Sequence, residues 1–251
     1  MRKKRMSIFL VTVMLATMMC ACGSADVKTG NTDAIGAAAD KNKSEESETS
    51  VMALAPYDEI LNEIYESLQK DITGKTEETY FSLGIQEAVM GKSVEERMKA
   101  VAYCEKDINA DGVDELLILD TIYPEPGNVR ILDMYTLVEG NPVKVIEGWA
   151  RSRYFLLDDG MIYSSGSGGA SYSNEGLLSF EADSVALTHG ELYFTYPKGE
   201  DMAEIAYYYS PDGVYDVAVA TEISESEFHA FREQCEQKIV VFEAKSFDAF
   251  K

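Results

Sequence analysis

Apolar residues recur first at helical and then at strand spacing along this chain. Tyr57, Ile60, Leu61, Ile64, Tyr65 and Leu68 fall at three- and four-residue steps, which gathers them on one face of a helix, and Gly74 follows as a stop. A second helical pattern over 80–90 is interrupted by Gly84. Ser93-Val94-Glu95-Glu96 is a capping-box start for a third helix running toward Ala100. From Val101 the apolar period shortens from about 3.6 residues to about 2. Strand-type runs then occupy 115–122, 129–138, 143–149, 153–157, 177–180, 192–196, 205–209 and 214–220. Turn signals at Glu139-Gly140-Asn141, Asp158-Asp159-Gly160, His189-Gly190 and Pro211-Asp212-Gly213 separate them. A second capping box, Ser224-Glu225-Ser226-Glu227, opens a helix with Phe228, Phe231 and Cys235 on one face, and 239–242 reads as a closing strand. Short strands without long crossovers predict an antiparallel arrangement. The expected class is α+β: N-terminal helices packed on an antiparallel β-meander, with one C-terminal helix.

The residues before this region carry a different pattern. Arg2, Lys3, Lys4 and Arg5 precede a predominantly apolar run over 6–19, and these 14 residues fall short of the roughly 20 that a membrane-spanning helix requires. A basic start, a short apolar run and then small residues predict a secretory signal over 1–21. Its exit, Met19-Cys20-Ala21-Cys22-Gly23-Ser24, resembles a bacterial lipobox, which implies a lipid on Cys22 and an anchor on the extracytoplasmic face of the cell membrane. Ala21 and Gly23 supply the small flanking residues for Cys22, whereas Cys20 would place Met19 at the cut. Residues 22–55 then hold the lipidated Cys and a polar stretch without an aromatic residue, which cannot bury enough surface to fold. Its reach as a flexible tether is about 30 Å. A single folded domain is expected over 56–251.

Charge sharpens this picture. The chain has 22 basic and 44 acidic residues, a net charge of −22, which excludes broad nucleic-acid contact because that rests on Lys and Arg. Removing the signal takes four basic residues and no acid, so the net charge becomes −26. Such a domain is repelled by anionic headgroups, and the anchor must do the tethering.

The most informative motif is Asp107-Ile108-Asn109-Ala110-Asp111-Gly112-Val113-Asp114-Glu115. Oxygen side chains at Asp107, Asn109 and Asp111 suit a hard cation. Gly112 permits the sharp turn, the Val113 carbonyl is a further ligand, and Glu115 completes the set. The expected ion is calcium, in a structural role. The loop is not an EF-hand, since Ile118 stands where that loop needs Glu and strand-type Leu116-Leu117-Ile118-Leu119 follows. The run from Tyr103 to Leu119 resembles the strand-loop-strand calcium unit of FG-GAP and VCBS-type repeats. It is still more similar to a group of lipoproteins from Gram-positive anaerobes, in which helices lead to one DxDxDG-type loop and a β-meander. Ile131-Leu132-Asp133-Met134-Tyr135-Thr136 and Asp159-Gly160-Met161-Ile162-Tyr163 share in the likeness. The resemblance implies extracytoplasmic exposure and a calcium-tied hairpin, without an activity.

Ser164-Ser165-Gly166-Ser167-Gly168-Gly169 lacks both the Gly-x-Ser-x-Gly spacing of a nucleophile and the Lys-Ser or Lys-Thr of a phosphate loop. It reads as a hairpin loop able to line a groove. Ser165 and Ser167 with Tyr172, Tyr193 and Tyr196 form the candidate ligand surface for a glycan or protein partner. His189 and His229 read as surface residues. An extracytoplasmic address permits a Cys104–Cys235 disulfide, but Cys235 shares an apolar helix face, so two buried thiols are expected. No catalytic constellation stands out. The expected function is a non-catalytic binding or envelope-interaction module; the alternatives are a glycan or envelope hydrolase and a purely structural envelope lipoprotein.

Overall fold

The computed structural model describes residues 55–70, 81–122, 129–199 and 203–250. The signal, Cys22, almost all of the tether, Gly74 and Tyr80 lie outside the described residues. Helices α1 (Asp58–Gln69), α2 (Leu83–Val89) and α3 (Val94–Ala100) come first, and α4 (Glu225–Gln237) comes late. Between α3 and α4 run β1 (Val101–Lys106), β2 (Glu115–Asp120), β3 (Arg130–Val138), β4 (Asn141–Glu147) and β5 (Ser152–Leu156). They are followed by β6 (Ile162–Gly169), β7 (Tyr172–Ser179), β8 (Thr188–Lys198), β9 (Glu204–Ser210) and β10 (Thr221–Ile223). After α4 come β11 (Lys245–Ser246) and a single 3-10 turn, Phe247–Ala249. All eleven strands join one antiparallel sheet in the order β10-β9-β8-β7-β6-β5-β3-β2-β1-β11, with β4 beside β3. Ile131 of β3 pairs with Tyr154 of β5, and Asp133 to Val138 pair with β4.

This sheet corrects the expected α+β class. Among the described residues strand makes up 42% and helix 24%, so the fold is mostly β, with four short helices as minor elements rather than a helical layer carrying a meander. The correction comes from strands that apolar alternation does not mark. Residues 162–169, expected to end in a hairpin loop, are the central strand β6, paired to β5 on one side and β7 on the other. Its small residues are accommodated because neighbours fill the space: a Cβ on Gly166 would stand 2.3 Å from Asn174 Oδ1. Residues 214–220, rich in Val, are not a strand. Asp216 folds them locally, its carbonyl accepting from Val219 and Ala220 N–H and its Oδ1 from Ala218 N–H. Of 239–242, only Ile239 pairs, as an isolated bridge to Leu157.

The helices start where their caps dictate. Ser93 and Ser224 each accept from a backbone N–H three residues on, while Glu96 and Glu227 accept from the cap residue's own N–H. At β2 and β3 both faces of the sheet are buried. On one face Leu116, Ile118 and Leu132 share a cluster with Ile60, Ile64, Leu68, Ile85 and Phe247. On the other, Leu117, Leu119, Ile131, Met134, Ile162 and Leu178 form a second cluster. A third joins α4 to the sheet through Phe155, Tyr163, Phe231 and Cys235. Cys104 and Cys235 are free thiols, and burial pushes them up to about 11 and about 12, so neither is poised to react.

Candidate functional site

The 107–115 loop joins β1 to β2 and is organised by its own polar groups. Ala110 and Gly112 take positive φ angles of 59° and 86°, which turn the chain sharply. Asp107 Oδ2 accepts from Gly112 N–H (3.0 Å), Asn109 Oδ1 from Asp111 N–H (3.2 Å) and Asp111 Oδ1 from Val113 N–H (2.8 Å). Asn109 Nδ2 donates to Asp111 Oδ2 at 3.0 Å. Glu115 is fully buried, accepting from Ile108 N–H and from the Thr136 hydroxyl. Burial pushes its carboxyl above the usual range, those two hydrogen bonds pull it back, and Asp111 and Asp107 push it up further. The Tyr57 hydroxyl donates to the Asp114 carbonyl at 2.8 Å, tying the loop to the start of α1. Among the described residues no three His, Cys, Asp or Glu are gathered as a metal site. One feature fits a hard cation: Asp107 Oδ1 is buried and takes no hydrogen bond.

The candidate ligand surface divides between the two faces of the sheet. Ser165 pairs across to Glu175, and Glu175 to Tyr193, so all three share the face under α4. Ser165 is buried, and its Oγ accepts from Arg153 Nη2. The Tyr193 ring lies stacked on Phe231 at 3.9 Å. Between them Glu175, almost fully buried, accepts from the Tyr163 hydroxyl and from Arg232 Nε and Nη2, which satisfies the carboxylate and fixes α4. Tyr172 and Tyr196 meet edge-to-face at 5.5 Å. Ser167 lies by the β6–β7 turn, its hydroxyl donating to the Gly169 carbonyl.

The face opposite α4 holds a groove of about 430 Å³; the 164–166 segment does line it, as expected, but of the candidate ligand residues Ser165 alone is in its lining. Two cross-strand rows make its floor. One runs Ser152–Gly166–Asn174 and continues to the fully buried Phe194 beneath, the other Tyr154–Ser164–Gly176–Leu192. His189, Gly213 and Tyr215 form the rim, with Tyr215 packed on Phe194 at 4.4 Å. No Asp, Glu, Lys or Arg among the described residues lines this groove. The available signal was the spacing of Gly166 and Gly176, which pairing places in adjacent rows, but it is legible only once β6 is known to be a strand. A second cleft, about 410 Å³, lies beside α2 over Met90, Lys92 and Ile122, with the buried Asp120–Arg130 ion pair (3.0 Å) among its lining.

No protein-family model, curated protein or solved structure matches this chain. Its class is therefore defined by its own architecture: a mostly-β fold on one antiparallel sheet with a charge-free groove on the face away from α4.

Proposed function

We propose that this chain is a non-catalytic binding module, lipid-anchored through Cys22 on the extracytoplasmic face of the membrane and stiffened by calcium in the 107–115 loop. The observation that carries the reading is the groove, whose lining of Ser, Tyr, Asn, His, Gly and Leu offers hydrogen bonds and aromatic faces. A glycoside hydrolase working there would need a pair of carboxyl groups flanking the scissile bond. The calcium assignment rests on the oxygen donors of Asp107, Asn109, Asp111, Val113 and Glu115 and on the orphaned Asp107 oxygen. The ion would neutralise crowded acids and brace the start of β2.

The test is retention of ligand without turnover. Soluble cell-wall and plant-type oligosaccharides are passed over the immobilised full chain, and the retained material is weighed by mass spectrometry. A binding module returns its ligand intact. Shortened products identify a hydrolase, and retention of nothing leaves the structural envelope reading.

A further inference from the structure

We propose that the groove facing away from α4 is a site for a short neutral saccharide, with the Asn174 amide as its central hydrogen-bonding group. This rests on the binding-module reading and adds the ligand class and the residues that select it.

The first argument is charge. The chain carries 44 acidic and 22 basic residues, yet neither sign lines the groove. A ligand with a formal charge would be desolvated there without a counter-charge. The second is an unused hydrogen-bonding group. Asn174 lies across the floor, its Oδ1 occupying the space a Cβ on Gly166 would take, and among the described residues none hydrogen-bonds its side-chain amide. The amide offers one acceptor and two donors side by side, which matches vicinal hydroxyl groups.

The third argument is shape. Gly166 and Gly176 carry no side chain, so the Asn174 amide and the Ser164 hydroxyl occupy the floor there: a Cβ on Gly166 would stand 2.3 Å from Asn174 Oδ1, and one on Gly176 3.3 Å from Ser164 Oγ. The floor is thereby surfaced with polar groups that can meet the hydroxyls of a ligand ring. Tyr154 and Tyr215 contribute aromatic surface at the margins, where the apolar C–H face of a sugar ring packs. About 430 Å³ is near the small end of ligand pockets, so the site takes a short saccharide rather than a polymer cross-section.

The test titrates maltose, cellobiose, lactose, mannobiose and diacetylchitobiose into the full chain by calorimetry, beside digalacturonate and trialanine. The proposal expects one or more neutral sugars to bind. Affinity should fall about tenfold in Asn174→Ala, the loss of one or two hydrogen bonds. It should vanish in Ser164→Leu, which fills the floor. Asn174→Ala removes no internal hydrogen bond and should melt with the parent, so it remains informative if Ser164→Leu is misfolded. Binding unaffected by Asn174→Ala overturns the site. Binding of digalacturonate or trialanine alone overturns the ligand class while leaving the binding module intact. Binding of none of the probes overturns the saccharide inference, whereas cleavage of a probe overturns the binding-module reading itself.

Discussion

Two residues show how local context reverses a general preference. Glycine inside a helix is normally less stable than alanine by about 1 kcal/mol. Gly84, in the first turn of α2, is an exception because a Cβ there would stand 2.1 Å from the Gly148 carbonyl oxygen, which is backbone and cannot rotate away. Gly84→Ala should therefore destabilise the fold by about 2 kcal/mol or more, read as a lower urea midpoint; a gain in stability would show that α2 does not sit this close. Asp133 is the second case. It is fully buried on β3, with Lys144 Nζ 3.3 Å away, and burial pushes its carboxyl from 3.8 to about 7, an effect that Lys144 and the nearby Ser82 hydroxyl only partly offset. Between those values the folded chain holds a proton that the unfolded chain has lost. The contribution of Asp133 to stability is thus greatest below about pH 4, falls through the window and levels off above about pH 7, a span on the order of 2–4 kcal/mol. Chemical denaturation at several pH values should show this decline in the parent relative to Asp133→Asn; parallel curves would refute it. Neither residue's role was legible in the sequence. Gly84 reads there as a helix interruption. Asp133 sits in an apolar run whose alternation is broken by the bulge that leaves Leu132 unpaired between Ile131 and Asp133.

Elements with strong local signals were legible and those without were not. The capping boxes of α3 and α4 and the apolar stripe of α1 locate those helices, because each is encoded within a few residues. β6 is encoded largely by its partners: after Ile162 and Tyr163, the run Ser164-Ser165-Gly166-Ser167-Gly168-Gly169 has no strand preference of its own and is held between β5 and β7. The same dependence on neighbours hid the groove, and it also made 214–220 look like a strand that no partner receives. The 107–115 loop was legible as a motif, and its test belongs at this scale. Calcium at about 1 mM should raise the melting temperature relative to EDTA and slow proteolysis between β1 and β2. Asp111→Ala should abolish both effects. An equal response in parent and variant would place the ion elsewhere.

For the whole molecule, the main consequence is one of address. No helix among the described residues is long and apolar enough to cross a membrane; the membrane attachment proposed above is through Cys22, which lies outside them. The proposed removal of the signal would leave a net charge of −26, which offers no electrostatic attraction to anionic lipid that could substitute for the anchor. Metabolic labelling with a radioactive fatty acid should mark the parent chain and not Cys22→Ser, which should appear in the medium; label retained by the variant would reject the anchor. The overall proportion of strand to helix was misjudged in the sequence because helices announce themselves by period and caps, while strands of small residues do so only through pairing.

The ends of the sheet have a further consequence. β10 and β11 are three and two residues long, and the outer side of β4 is interrupted by Pro142 and carries Lys144 and Glu147. A sheet of eleven strands with long bare margins would template addition of strands from its neighbours. The lipid anchor proposed at Cys22 would gather copies in one leaflet at high local density, where such templating would be fastest. Margins this short or this polar would keep such crowded copies from polymerising edge to edge, so that the proposed display could be dense and still present each groove singly.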